Sequence, residues 1–309
     1  PGIHNSLVLS NNAEGFYHYF IRTNQDIRLI NNTFFQSSLF LSEKMVNTSG
    51  NAYYFSAWFI KIKNKILELG ATSNILSGGR EDIAWSQKDA LYTIFNKNKI
   101  KYWDFINAYY LALNFKKSKL KIFFEFGYPN RSFFNKDSKI YFDNSLGTNL
   151  GLRKYGLAGY EKLVIGFEYT RLAQGIYYNI LPTPNWYDNI NFNYSSYNNK
   201  RWAAHSGSDS DDFLIFIGYM SDNKGLVFGI NYERHGITYN FPPEVKFESR
   251  VSINYKINDL YFYINYENEL FRHYGFVDTN KNVWGEQFEK GSIQRTHSII
   301  ISLEREFTF

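Results

Sequence analysis

"SIIISLEREFTF", residues 298–309, decides the fold of this chain. Taken from His297, it alternates strictly. His297, Ile299, Ile301, Leu303, Arg305, Phe307 and Phe309 fall on one side, and Ser298, Ile300, Ser302, Glu304, Glu306 and Thr308 on the other. A period of two is the signature of a β-strand with two unlike faces. Here one face is mostly apolar and aromatic, the other hydroxylated and acidic.

The same pattern recurs upstream. In 225–235, Leu226, Phe228, Ile230 and Tyr232 oppose Val227, Gly229, Asn231 and Glu233. In 259–270, Leu260, Phe262, Ile264 and Tyr266 oppose Tyr261, Tyr263, Asn265, Glu267 and Glu269. Residues 162–170 and 119–127 repeat it, and 105–115, 212–220 and 248–257 behave alike. Polar links join these strands in pairs: "KKSK" at 116–119, "YEK" at 160–162, "SDNKG" at 221–225 and "KIND" at 256–259. After each pair comes a longer excursion, over 77–103, 129–148, 173–211 and 271–293. Short turns at one end and long loops at the other are the layout of an outer-membrane barrel. The last strand of such a barrel is expected to zip to the first, because lipid tolerates no free sheet edge. The aromatic final residue, Phe309, resembles the C-terminal signal read by the barrel-assembly machinery of bacterial outer membranes.

Composition agrees. The chain has 309 residues, of which 20% are aromatic, mostly Tyr and Phe. Rings of that kind suit strands and membrane interfaces. Cysteine is absent, which excludes disulfides and thiolate metal sites. The 34 basic and 29 acidic residues leave a charge of +5, too even for a nucleic-acid footprint. No run reaches the roughly 20 apolar residues of a membrane helix. No signal peptide is visible, since the chain opens directly on the strand-like "PGIHNSLVLS".

A soluble β-sandwich would also alternate, but its charged faces would look outward. In this chain the apolar faces are dense with Phe, Tyr and Leu, and the opposite faces mix Glu, Lys, Asn and Gly. The second set suits a wet lumen. The expected fold is therefore all-β: one transmembrane antiparallel barrel over 1–309, of about 14–18 strands with long extracellular loops. Lys119, Lys121, Glu125, Glu168, Glu233, Glu267 and Glu269 would face the lumen, where mixed signs predict ion pairs across it. One stretch departs from period two. In "EDIAWSQKDALYTIFNKN", Ile83, Ala90, Leu91 and Ile94 keep helical spacing, which predicts a helix capping the barrel mouth.

The longest excursion, "RLAQGIYYNILPTPNWYDNINFNYSSYNNKRWAAHSGSDSDD", carries eight Phe, Tyr and Trp rings among acids and amides. Aromatic faces stack on sugar rings, and Asp, Asn and Arg take the hydroxyls. The candidate polysaccharide-binding residues are Trp186, Tyr187, Asp188, Arg201, Trp202 and Asp209. The competing expectation is that these rings pack on one another. "SGSDSDD" offers oxygens to calcium but lacks the spacing of a calcium loop, and the expectation is a solvated acidic turn leading into strand 212–220. His205 and Ser206 are adjacent in an extended segment, point apart, and cannot work as a pair. No nucleophile elbow is present, and His235 and His273 look like rim residues. No catalytic residue, metal site or cofactor is expected.

"LELGATSNILSGGR" at 67–80, "GLRKYGLAGYEKLVIGFEYT" at 151–170 and "RWAAHSGSDSDDFLIFIGY" at 201–219 together resemble the Wzi-type capsule-assembly proteins. The shared elements are the Gly-rich strand end after "LELG", the strand pair closing on "EYT", and the Gly- and Asp-rich lead into a strand. The resemblance implies a monomeric, lectin-like, non-enzymatic barrel in the bacterial outer membrane that attaches or organises exported polysaccharide. Such proteins also carry an N-terminal helical plug and a larger barrel. This chain shows neither, so either part of the N-terminus is missing or the chain is a reduced relative. The expected partners are lipid and lipopolysaccharide, surface polysaccharide, and the assembly machinery through Phe309, with no nucleic acid. A porin or substrate-specific channel is the alternative, and an outer-membrane hydrolase a third.

Overall fold

The computed structural model describes residues 6–8, 16–30, 32–81, 86–95, 103–129, 146–172, 186–187, 196–197, 200–201, 203–204, 206–237, 243–274 and 293–305. Almost all of them lie in one antiparallel sheet of fifteen strands. In chain order these begin β1 (His18–Arg22), β2 (Ile27–Arg28), β3 (Phe34–Ser42), β4 (Met45–Val46), β5 (Ala52–Lys63) and β6 (Leu67–Gly78). After helix α1 (Gln87–Phe95) come β7 (Trp103–Phe115), β8 (Leu120–Pro129), β9 (Gly147–Leu157) and β10 (Tyr160–Arg171). A separate two-stranded ribbon, β11 (Ser196–Tyr197) with β12 (Lys200–Arg201), interrupts the series. The sheet resumes with β13 (Ser210–Met220), β14 (Lys224–His235), β15 (Glu244–Ile257), β16 (Leu260–Arg272) and β17 (Gln294–Arg305). The sheet follows chain order from β1 to β17, with β2 and β4 added at its flanks. This meander is the all-β barrel architecture expected from the sequence.

The register shows which faces match. Phe228 lies opposite Ile217 and Val251, while Asn231 lies opposite Leu214 and Glu248. On β14, Leu226, Phe228 and Tyr232 are 50%, 42% and 41% exposed, whereas Asn231 and Glu233 are each 1% exposed. The apolar stripe thus faces outward and the charges are enclosed, the reverse of a soluble sheet. Most strands from β5 onward are 10 to 14 residues long, enough for a tilted crossing of a bilayer.

The hairpin turns lie where the backbone reverses. Between β9 and β10 the turn is Ala158 and Gly159, with φ of 50° and 83°. Two successive left-handed residues make the tight turn that follows strand twist, so "YEK" belongs to β10 and not to the link. Asn258, at φ 53°, plays the same part between β15 and β16.

Two expectations are corrected. Among the described residues, β17 and β1 form no ladder, and the sheet ends on them. Both are exposed on both faces. The helix forms, but it packs on β5 and β6. There Tyr54, Ser56, Ser73, Ile75 and Ser77 are buried, although they share the outward face with the exposed Ile60, Ile62 and Leu69 nearer the turns. Helix α1 therefore covers the outside of the wall at its loop end and does not cap the mouth. Three serines would be poor lipid-facing residues, and the helix removes that need. Its start is a capping box: the Asp89 N–H donates to the Ser86 hydroxyl at 3.3 Å, and the Ser86 N–H donates to the Asp89 carboxylate at 2.9 Å.

Candidate functional site

The interior divides into three levels. At the loop end it is filled. Leu7, Val8, Trp186, Tyr187, Ala203 and Ala204 are buried in one cluster with the inward-facing Tyr53, Phe55, Leu76 and Ile106. Phe16 and Phe40 close its flank, with ring centroids 5.6 Å apart and edge-to-face. Three hydrogen bonds hold the filling together and tie it to the wall strand β6. The Tyr187 hydroxyl donates to the Leu7 carbonyl at 2.8 Å, the Tyr187 N–H to the Ser208 hydroxyl at 3.0 Å, and Asn74 Nδ2 to the Val8 carbonyl at 3.3 Å. Trp186 needs a glycine beneath it. A Cβ at Gly147, the first residue of β9, would stand 2.5 Å from the indole ring.

The second level is a girdle of buried polar groups. Glu125, Asn149, Glu168, Asp212, Glu233 and Glu248 all point inward and are almost fully enclosed. The Ser6 hydroxyl donates to Glu125 at 3.1 Å, which carries the N-terminal segment 6–8 down to this level. Lys246 is the hub on the other side. Its ammonium lies 3.4 Å from Glu233, 3.0 Å from Glu248 and 2.8 Å from Glu269, on three adjacent strands. These ion pairs run along the wall between neighbouring strands and not across the lumen as expected. His235 belongs to the same set, 3.1 Å from both Glu233 and Glu244. Glu248, Glu267 and Glu269 bring carboxylate oxygens within reach of one metal ion, but Lys246 already occupies two of them.

The third level, at the short turns, is open. A cavity of about 600 Å³ is lined by Lys63, Lys65, Lys119, Lys121, Arg153 and Tyr155 among others. A second, of about 360 Å³, shares Arg153 and Tyr155 and reaches Arg250.

The candidate sugar residues fall in different places. Trp186 and Tyr187 sit together, 1% and 0% exposed, with ring centroids 5.9 Å apart. They form the floor of the filled mouth, so the rival expectation of rings packed together holds for this pair. Asp209 takes a left-handed turn, φ 50°, and its carbonyl accepts from the N–H groups of Gly236 and Ile237 at 2.9 and 3.3 Å. The backbone of Arg201 pairs with Ser196 in the small ribbon. Asp188 and Trp202 lie outside the described residues, as does His205. The "SGSDSDD" segment is not a solvated turn. Ser210 opens β13, Asp212 is buried inside, and Asp211 forms a two-pronged ion pair with Arg234. The strand-like reading of "PGIHNSLVLS" is corrected over its described residues: 6–8 form no strand and instead enter the barrel, which sequence reasoning missed.

Among solved structures, the chain is similar to Wzi of Escherichia coli, described as an outer-membrane protein involved in group 1 capsule assembly and a carbohydrate-binding β-barrel. The TM-score is 0.63 at 11% identity, over 87% of this chain and 60% of that one. The fold is thus a Wzi-like barrel, and the chain spans about 60% of its neighbour's length. No protein-family profile matches the sequence, and no curated protein matches it either.

Proposed function

We propose that this chain is a bacterial outer-membrane barrel that binds or organises surface, capsular polysaccharide at its loop end, without catalysis. One observation carries the proposal: a Wzi-like wall whose mouth is filled from within by Leu7, Trp186, Tyr187 and Ala204. A filled mouth suits retention of a chain at the surface and counts against an open channel. Trp186 and Tyr187 serve as a rigid floor. Asp188, Arg201, Trp202 and Asp209, from the same excursion, supply the stacking ring and the polar partners of the sugar. The exposed belt of Phe, Ile and Leu meets lipid and lipopolysaccharide, Phe309 engages the assembly machinery, and the barrel works as a monomer.

The test is glycan retention in cells carrying Arg201→Ala with Trp202→Ala. The pair is expected to release surface polysaccharide while the barrel still folds and inserts. Retention equal to the parent protein would overturn the proposal.

A further inference from the structure

The turn end of the lumen holds a surplus of positive charge. The cavity of about 600 Å³ there is lined by six cationic side chains, Lys63, Lys65, Lys116, Lys119, Lys121 and Arg153, against two carboxylates, Asp26 and Glu68. Two of the cations are paired. Lys63 lies 2.6 Å from Asp26, and Lys119 lies 3.3 Å from Glu161. Glu68 accepts a hydrogen bond from the Tyr110 hydroxyl at 3.1 Å. Among the described residues, Lys65, Lys116, Lys121 and Arg153 have no acidic partner.

Two further observations single out Lys121 and Arg153. They lie directly opposite each other on β8 and β9, both facing inward. Like charges at opposed positions of a sheet repel. In addition, Arg153 Nε is shut off from solvent and has no hydrogen-bond partner. A buried donor left unmatched is unfavourable, and a guanidinium is shaped to take two oxygens of a carboxylate or phosphate side by side. The remainder of the lining is not wholly polar: the inward-facing Phe34 and Tyr155 line it beside the cations. Cations for oxyanions beside rings for sugar faces, in a space of this volume, describe an acidic saccharide.

We infer that the turn-end cavity binds a short acidic saccharide segment, seating a carboxylate or phosphate group between Lys121 and Arg153. This goes beyond the reading of the loop end. It shares no residue with that site, so either can fail while the other is measured.

The experiment is calorimetric titration of the full chain in zwitterionic detergent with three probes: trigalacturonate, neutral maltotriose and inorganic pyrophosphate. Trigalacturonate is expected to bind at least about tenfold more tightly than either of the others, and to weaken as salt is raised. Lys121→Gln with Arg153→Gln should weaken it about tenfold or more, with the β-sheet circular dichroism unchanged. If the double variant does not fold, Lys121→Gln alone should weaken binding by about threefold. Equal binding of maltotriose, equal binding of pyrophosphate, or an affinity untouched by the folded variant would each overturn the inference.

Discussion

The Tyr187 hydroxyl donates a hydrogen bond of 2.8 Å to the carbonyl of Leu7, joining two residues 180 positions apart. Both are fully buried. The bond fastens the longest excursion of the chain to segment 6–8 inside the barrel. Tyr187→Phe keeps the ring and removes only the hydroxyl. A buried carbonyl left without its donor costs about 1–3 kcal/mol. The expected result is a stability lower by that amount in denaturant unfolding, with the β-sheet dichroism of the folded state unchanged.

Trp186 tests the same filling from its other side. Gly147→Val places side-chain atoms where the indole now lies, since even a Cβ would stand 2.5 Å from it. The ring should be displaced toward water. Lifetime-resolved tryptophan emission should then gain a red-shifted component that the parent protein lacks.

The girdle depends on one cation. Lys246→Met leaves Glu233, Glu248 and Glu269 without the ammonium that lies within 3.4 Å of each. Removing one partner of a buried ion pair costs about 3–5 kcal/mol. Unfolding in urea should show a loss of that order, and Glu248→Gln added to the variant should restore part of it.

Helix α1 gives a pH dependence outside the barrel strands. Hydrogen bonds from Ser86 hold the Asp89 carboxyl below its ordinary value of 3.8. A carboxyl depressed in the folded state adds stability above that ordinary value and loses it as pH falls through the folded one. The protection factors of the α1 amides, which correct each rate for intrinsic exchange at the same pH, should therefore be lower below about pH 3.8 than at pH 6. Ser86→Ala should speed exchange at both, because it removes the cap itself, a loss of about 0.5–2 kcal/mol.

Much of this was legible in the sequence. The alternation of Leu226, Phe228, Ile230 and Tyr232 against Asn231 and Glu233 fixed strand, face and environment together, because a period of two allows no other division. The long excursions were legible from their breaks in that period. What failed were relationships between distant segments. Nothing in "SLV" at 6–8 announces that it enters the barrel. The rings of Trp186 and Tyr187 look the same in sequence whether they face sugar or one another. Closure of β17 on β1 was argued from a general rule about edges, and the described ladders do not include it. The basic turn end left a trace that could have been followed: on β8 Lys121 precedes Glu125, and on β10 Lys162 precedes Glu168, each time with the cation nearer the turn.

The central claim is that the aromatic and aliphatic flanks of these strands meet hydrocarbon while the charged flanks enclose the interior. The chain contains no cysteine, so single cysteines can be placed at each position from 226 to 232 and spin-labelled in lipid bilayers. Accessibility to oxygen should rise and fall with a period of two, highest at 226, 228, 230 and 232, where a water-soluble nickel reagent should be excluded. A flat profile, or nickel reaching those four positions, would contradict the account.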